Sequence, residues 1–418
     1  MSATTDLLET IRGSESGLTL AELLGRHPSI ARRTAQRLIA KLIESGHITA
    51  QGEGRARRYH ADSESHTEPR IAKVDSFPAF IPLSADSLDI LAYIDQPLPA
   101  RKPVGYQHDF LQAYHPNETC YLSESLRRQL HNMGKTTDID EPAGTYSRAI
   151  LNRLLIDLSW ASSHLEGNTY SRLDTRELIE HGKAARGKGA IETQMILNHK
   201  TAIELLVENI DSAEFNRYTL MNLHSALAEN LLPNPADEGR IRQHAVDISK
   251  SIYRPLSTAQ QIEEVLDEVL SKANQIHDPF EQSFFMMVHL PYLQPFADIN
   301  KRTSRLAANL PLFRGNLCPL TFLDVPEQAY SRATLGVYEM ARIELLRDLY
   351  VWAYERSTQE YLAIKRDLAE PDPLRLAWRD LIKQTVRGVV TSIQLDPLST
   401  IEQAVSENVP QQERSAVQ

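Results

Sequence analysis

The chain has 418 residues, a formal net charge of −10 and two cysteines, Cys120 and Cys318. That length accommodates two or three domains with a sizeable core. The acidic balance argues against a nucleic-acid coat acting through the whole chain, and two distant cysteines argue against a disulfide framework or structural zinc. No apolar run reaches membrane-spanning length and the N-terminus lacks a charged-then-apolar signal layout, so the default expectation is cytoplasmic residence with no membrane partner.

Residues 1–62 read as a unit of their own. Ala3–Arg12 is a short helix with Leu7, Leu8 and Ile11 inward. Leu18-Thr19-Leu20 leads to a second helix, and Ser29 caps a longer one over Ile30–Ser45 with Ala35, Leu38, Ile39 and Leu42 on one face. Gly46–Ala50 and Arg55–His60 make two strands around a Gly52-Glu53-Gly54 tip. Three helices and a glycine-tipped hairpin are the layout of a winged helix-turn-helix. Arg32, Arg33, Arg37 and Lys41 fall on the third helix, and Arg55, Arg57 and Arg58 on the wing. These cations suit DNA phosphates; a protein-interaction or dimerisation module is the rival reading, because a fold does not assign a function.

Residues 63–76, rich in Ser, Glu and His, read as a tether. Residues 77–145 carry several prolines, a helix-sized piece after Ser84 and an aromatic-rich segment to Tyr121, and are expected to wrap the following domain as an extension. Over 146–365 apolar residues recur at three- and four-residue spacing, notably in Ala190–Asn209, Thr258–Gln275, Phe280–His289 and Ala329–Ile364. The fold class is therefore mainly α, a helical bundle preceded by a small α+β domain. Over 366–418, Pro371 and Pro373 precede a final helix, Leu374–Thr391, suited to the bundle surface or to a homodimer; a loose polar tail follows.

Chemistry concentrates in 294–305, Gln-Pro-Phe-Ala-Asp-Ile-Asn-Lys-Arg-Thr-Ser-Arg. Asp298 can hold a hard divalent cation, Asn300 has N-cap chemistry, and Arg302 and Arg305 project from one helix face. A helix N-terminus with forked guanidinium donors suits a polyphosphate. The plainer alternative is a capped helix with a solvated basic first turn. A second segment, Ser162-Ser-His-Leu-Glu-Gly-Asn168, ends a helix whose Leu151, Leu155, Leu158 and Leu165 form one stripe. Gly167 stops it, leaving Glu166 at the negative end of the dipole in need of a cation or water. A third, 223–256, places Val246, Ile248 and Ile252 at even positions, as in a short hairpin.

The 294–305 loop resembles the signature of the Fic (Fido) family, His-Pro-Phe-x-Asp/Glu-Gly-Asn-Gly-Arg-x-x-Arg, with Pro295, Phe296, Asp298, Asn300, Arg302 and Arg305 in register. Gln294 stands where the family keeps its catalytic His, and Ile299 and Lys301 replace its two glycines. The resemblance implies ATP and Mg2+ as ligands, Asp298 as the metal residue, Gln294, Asp298 and Arg302 in the catalytic positions, and Asn300, Lys301, Arg302 and Arg305 around the nucleotide. Ser162, Glu166 and Gly167 fit the family's inhibitory motif, with Glu166 expected on Arg305. Residues 223–256 are similar to its β-hairpin flap, so Val246, Ile248 and Ile252 are expected to pair with a segment of an unknown target protein. The implied reaction is AMP transfer from ATP to a protein hydroxyl, weak or lost because Gln294 cannot act as a base. His289 and Tyr292 are the candidate substitutes, and Ile299 is expected to avoid positive φ and reshape the phosphate cradle. The alternative is a catalytically inactive Fic-like DNA-binding regulator.

Overall fold

A computed structural model describes residues 3–14, 17–28, 30, 32–44, 48–52, 57–61, 77–136, 141–368, 378, 381–385, 397–410 and 414. The chain divides into two units, Met1–Asp75 and Ser76–Gln418.

In the first unit, α1 (Ala3–Arg12), α2 (Leu20–Arg26) and α3 (Arg32–Glu44) accompany strands β1 (Leu18–Thr19), β2 (Ile48–Gln51) and β3 (Arg58–Ala61). Thr19 starts α2 through a capping box with Glu22, which satisfies two backbone donors reciprocally. The strands form an antiparallel sheet in the order β1-β3-β2, with Tyr59 opposite both Leu18 and Ala50. Leu7, Ile11, Leu23, Ile39, Leu42 and Ile48 fill its core. Ser29, the wing tip beyond Gly52 and the expected tether lie outside the described residues.

The second unit is built around α13 (Pro279–Leu293), in which every residue from Ser283 to Leu293 is buried. A helix apolar all round belongs at the centre of a bundle. It packs against α12 (Ala259–Gln275), α14 (Asn300–Ala307), α15 (Asn309–Arg314) and α16 (Glu327–Met340). Next to α14 lie α8 (Leu151–His164) and α11 (Arg217–Ala228), and α10 (Ala190–Glu208) packs on both. Residues 77–136, with α4 (Ala85–Ile94), α5 (His108–Gln112) and α6 (Glu124–Gly134), contribute Ile81, Ile90, Leu111, Tyr114 and Leu130 to this same core, and α7 (Thr145–Ala149) and α9 (Arg172–His181) pack on α8.

Three expectations change, and a fourth lies largely outside the described residues. The expected helix over Ala329–Ile364 is two, α16 and α17 (Glu344–Leu368), because Ala341 turns left-handed at φ 51° and Arg342 N–H closes back on Gly336. Pro397–Asn408 is helical where a loose tail was expected, with Val405 and Val409 buried close by. Of the final helix expected over Leu374–Thr391, only 378 and 381–385 are described, the latter helical. The hairpin flap does not form either. Residues 241–252 are irregular, and Tyr253–Arg254 instead pairs in parallel with Val104–Gly105. The physical reason is competition for backbone groups. The Arg242 guanidinium takes the carbonyls of His244 and Leu256, while the Glu339 carboxylate takes Ser251 Oγ and Ile252 N–H.

Candidate functional site

The loop between α13 and α14 begins where Gln294 adopts a left-handed conformation, φ 54°, and closes α13 by donating its N–H to Leu290 O. It ends at Ile299, also left-handed at φ 65° and ψ 10°, the N-cap position of α14. The expectation for Ile299 is thus overturned: the β-branched residue takes the positive φ that its type disfavours, a strain of order 1–3 kcal/mol. Its side chain is buried in the core, which offsets part of that cost. Asn300 is the first residue of α14 rather than its cap. Its carboxamide reaches back instead, accepting Phe296 N–H at 2.9 Å and donating to Phe296 O at 3.0 Å and Gln294 Oε1 at 2.9 Å.

Gln294 is fully engaged. Its Nε2 donates to Pro291 O at 2.7 Å and to Tyr338 Oη at 3.1 Å. From the other side, buried Arg242 donates Nε to Gln294 O at 2.7 Å, and Arg242 N–H donates to Pro295 O at 3.0 Å. Phe296 stacks on His224 with ring centres 3.9 Å apart. Gly239 N–H donates to His224 Nδ1, so the imidazole carries its proton on Nε2 and donates to Asp298 O at 3.2 Å. Burial lowers the His224 pKa to about 4, keeping that ring neutral. Gly239 itself, at φ 67°, admits no side chain, since a Cβ would lie 2.9 Å from Ser225 Cβ.

Beyond the loop, Glu166 Oε1 lies 2.8 Å from Arg305 Nη1 and Oε2 lies 2.9 Å from Lys301 Nζ. Burial would raise the Glu166 pKa, but Arg305, Lys301 and, less strongly, Arg302 outweigh it and hold it down at about 2. Lys301, expected on phosphates, is therefore committed to Glu166 here. Gly167, left-handed at φ 84°, makes the turn that aims the preceding carboxylate back at α14. Arg305 is wholly buried; its Nε and Nη2 donate to Ser162 Oγ and Ser162 O, both at 2.9 Å, and its guanidinium lies 4.9 Å from the centre of the Tyr330 ring. His199 completes this arrangement. Its Nδ1 faces Met195 O at 2.9 Å and must carry the proton, so Nε2 accepts from Ser162 Oγ at 2.9 Å.

Arg302 contrasts with its neighbours. Its guanidinium is buried, yet no carboxylate forms an ion pair with it and Nη1 has no hydrogen-bond partner among the described residues. Burial lowers its pKa, partly opposed by Glu166 and Asp298. It opens on a cavity of about 780 Å³ that Glu166, Gln294, Asp298, Asn300, Lys301 and Tyr338 also line. Asp298 is exposed there, with Oδ1 accepting Ile299 N–H at 2.6 Å. Val246 and Ile248 face the same cavity from the irregular flap segment, whereas Ile252 is absent from its lining.

No three His, Cys, Asp or Glu side chains cluster as a metal cage among the described residues. Asp298, an exposed carboxylate beside Lys301 and Arg302, suits Mg2+, which typically binds one or two carboxylates together with substrate phosphates. The substitutes for the missing base lie elsewhere. His289 is buried in an aromatic cluster with Nε2 2.7 Å from Tyr121 Oη, and burial lowers its pKa to about 3; Tyr292 Oη accepts Gln107 N–H. Sequence reasoning passed over His199, Arg242 and His224. Each is a polar residue on an otherwise ordinary helix or loop, with no local pattern to mark it. In the first unit, Arg32, Arg33 and Arg37 fall on or at the start of α3 with side chains outside the described residues, and Arg57 is exposed beside β3.

Residues 214–312 match the Fic/DOC family. Over those residues the chain is similar to a Fic domain. It is 26% identical over 204 residues to protein adenylyltransferase fic-1 of Caenorhabditis elegans, covering 47% of this chain and 39% of that one. Against protein adenylyltransferase Fic of Nematostella vectensis it is 26% identical over 242 residues, 51% of this chain and 56% of that one. The chain thus spans between about two fifths and just over half of the length of these relatives. Among solved structures, a C. elegans Fic-1 fragment aligns with a TM-score of 0.47 at 21% identity, covering 57% of this chain and 70% of that fragment. The stretch matched by the family, 214–312, contains the loop at 294–299 and α14, whereas the segment bearing Glu166 lies upstream of it.

Proposed function

We propose that this chain is an ATP-using, Mg2+-assisted protein adenylyltransferase held in check by its own Glu166. The observation that carries the reading is the cavity in which Asp298, Lys301 and Arg302 converge while Arg302 Nη1 lacks a partner. A buried guanidinium without a counter-charge is costly, and a phosphate oxygen would satisfy it. Mg2+, when bound, would be held by Asp298 and would neutralise charge on the phosphates. Arg302 and the N–H groups opening α14 would cradle those phosphates. Arg305 and Lys301 would take the terminal phosphate once Glu166 withdrew, because carboxylate and phosphate compete for the same donors.

The irregular segment bearing Val246 and Ile248 would present the acceptor hydroxyl of a target protein. Gln294 would serve the loop more than the chemistry, since both of its amide N–H groups are committed. The test is incubation of purified protein with ATP labelled at the α-phosphate and magnesium. Label incorporated by Glu166→Gly, weaker in the parent and absent from Glu166→Gly/Asp298→Ala, supports the reading. No label from any form, with no ATP binding by calorimetry, overturns it.

A second activity rests on the first unit. Its helices and its sheet, with β3 between β1 and β2, support a winged-helix module that binds DNA through Arg32, Arg33, Arg37 and Arg57. Salt-dependent DNA binding that weakens in Arg33→Ala is the corresponding measurement.

A further inference from the structure

We propose that His244, on the loop above the cavity, supplies the proton acceptor that Gln294 cannot. The proposal rests on the adenylyltransferase reading and completes its missing part. The buried imidazoles around the bundle are already committed. His199 and His224 each use both ring nitrogens, and His289 is sequestered with Tyr121. His244 differs from them. It lines the same cavity as Gln294 and Asp298, its side chain is exposed, and its ring has no hydrogen-bond partner among the described residues.

Its placement is fixed from below. Arg242 Nη1 donates to His244 O at 2.7 Å, and Nε of the same guanidinium donates to Gln294 O at 2.7 Å. One planar group therefore holds the backbones of residues 244 and 294 side by side. Arg242 is completely buried, so the clamp has little freedom. Residues 244 and 294 line the same cavity, so a base at 244 opens on the space that Gln294 borders. The charged groups facing the cavity around it are Glu166, Asp237, Asp247, Asp298, Lys301 and Arg302.

In the transfer step, the acceptor hydroxyl oxygen bonds to the α-phosphorus and its proton passes to the unprotonated ring nitrogen of His244. The bond from the α-phosphorus to its bridging oxygen breaks, and the electron pair leaves on pyrophosphate, toward Lys301 and Arg302. No oxidant or further reactant is needed.

The experiment measures single-turnover self-labelling by Glu166→Gly with α-labelled ATP and magnesium. Adding His244→Ala should lower the rate constant by about a hundred- to ten-thousand-fold, the usual cost of losing a general base, and leave the ATP affinity within about twofold of the parent. Free imidazole in the buffer should restore part of the rate, and Gln294→His in the His244→Ala background should restore labelling. Labelling at the parent rate in His244→Ala overturns the proposal and leaves the transferase reading standing. So does label that appears only when Gln294→His is present. No label from Glu166→Gly, with or without Gln294→His, overturns both.

Discussion

Replacing Glu166 by Gln keeps the side-chain shape and removes one charge from between Arg305, 2.8 Å away, and Lys301, 2.9 Å away. The native carboxyl is held at about 2 against an ordinary 4.5. A difference of that size corresponds to about 3 kcal/mol of stability. Because the folded value is the lower one, this contribution is complete above pH 4.5 and is lost as the pH falls toward 2. Urea unfolding read by tryptophan fluorescence isolates the second unit, since Trp160, Trp352 and Trp378 all lie in it. At pH 7 the Gln variant should be about 3 kcal/mol less stable, and by about pH 3.5 the gap should have narrowed by roughly 1 kcal/mol. On the proposed reading the same contact competes with the nucleotide, and ATP with magnesium should then bind the variant up to about a hundredfold more tightly, the equivalent of that free energy. A stability gap that is independent of pH, or an unchanged ATP affinity in a less stable variant, would refute the reasoning.

Arg302→Met should leave thermal stability equal or higher by about 1–2 kcal/mol, because an unpaired buried charge is replaced by an apolar chain, while ATP binding by calorimetry disappears. A marked loss of stability would mean that Arg302 has a partner in the fold. Ile299→Gly should be more stable than Ile299→Ala by about 0.5–1 kcal/mol in urea melts, since glycine accepts the positive φ freely; the reverse order would place residue 299 in another conformation. Arg242→Ala strands the carbonyls of Gln294, His244 and Leu256, and should lower stability by about 3 kcal/mol or more, with Arg242→Lys failing to restore it. Full rescue by Lys in thermal unfolding would show that charge alone is required.

Much of this molecule is written locally. The apolar periodicity of α8, α12 and α13 announces helices, because a 3.6-residue repeat puts those side chains on one side of a turn. Gly167 marks where α8 must end, and the three-residue spacing of Arg302 and Arg305 aims both from one face of α14. The residue types at 294–305 likewise name their chemistry before any fold is known. What needed the folded chain are the pairings between distant segments. Lys301 turns to Glu166 instead of a phosphate, Ile299 holds a left-handed backbone, and Asn300 locks its own loop. The flap stays irregular because Arg242 and Glu339 take up its backbone groups, and His244 comes level with Gln294 through one guanidinium. The contacts of Glu166 with Lys301, of Arg242 with Gln294 and of Glu339 with Ile252 join residues tens of positions apart. Their energies depend on burial and on which competing donor or acceptor is nearer, and only packing decides either.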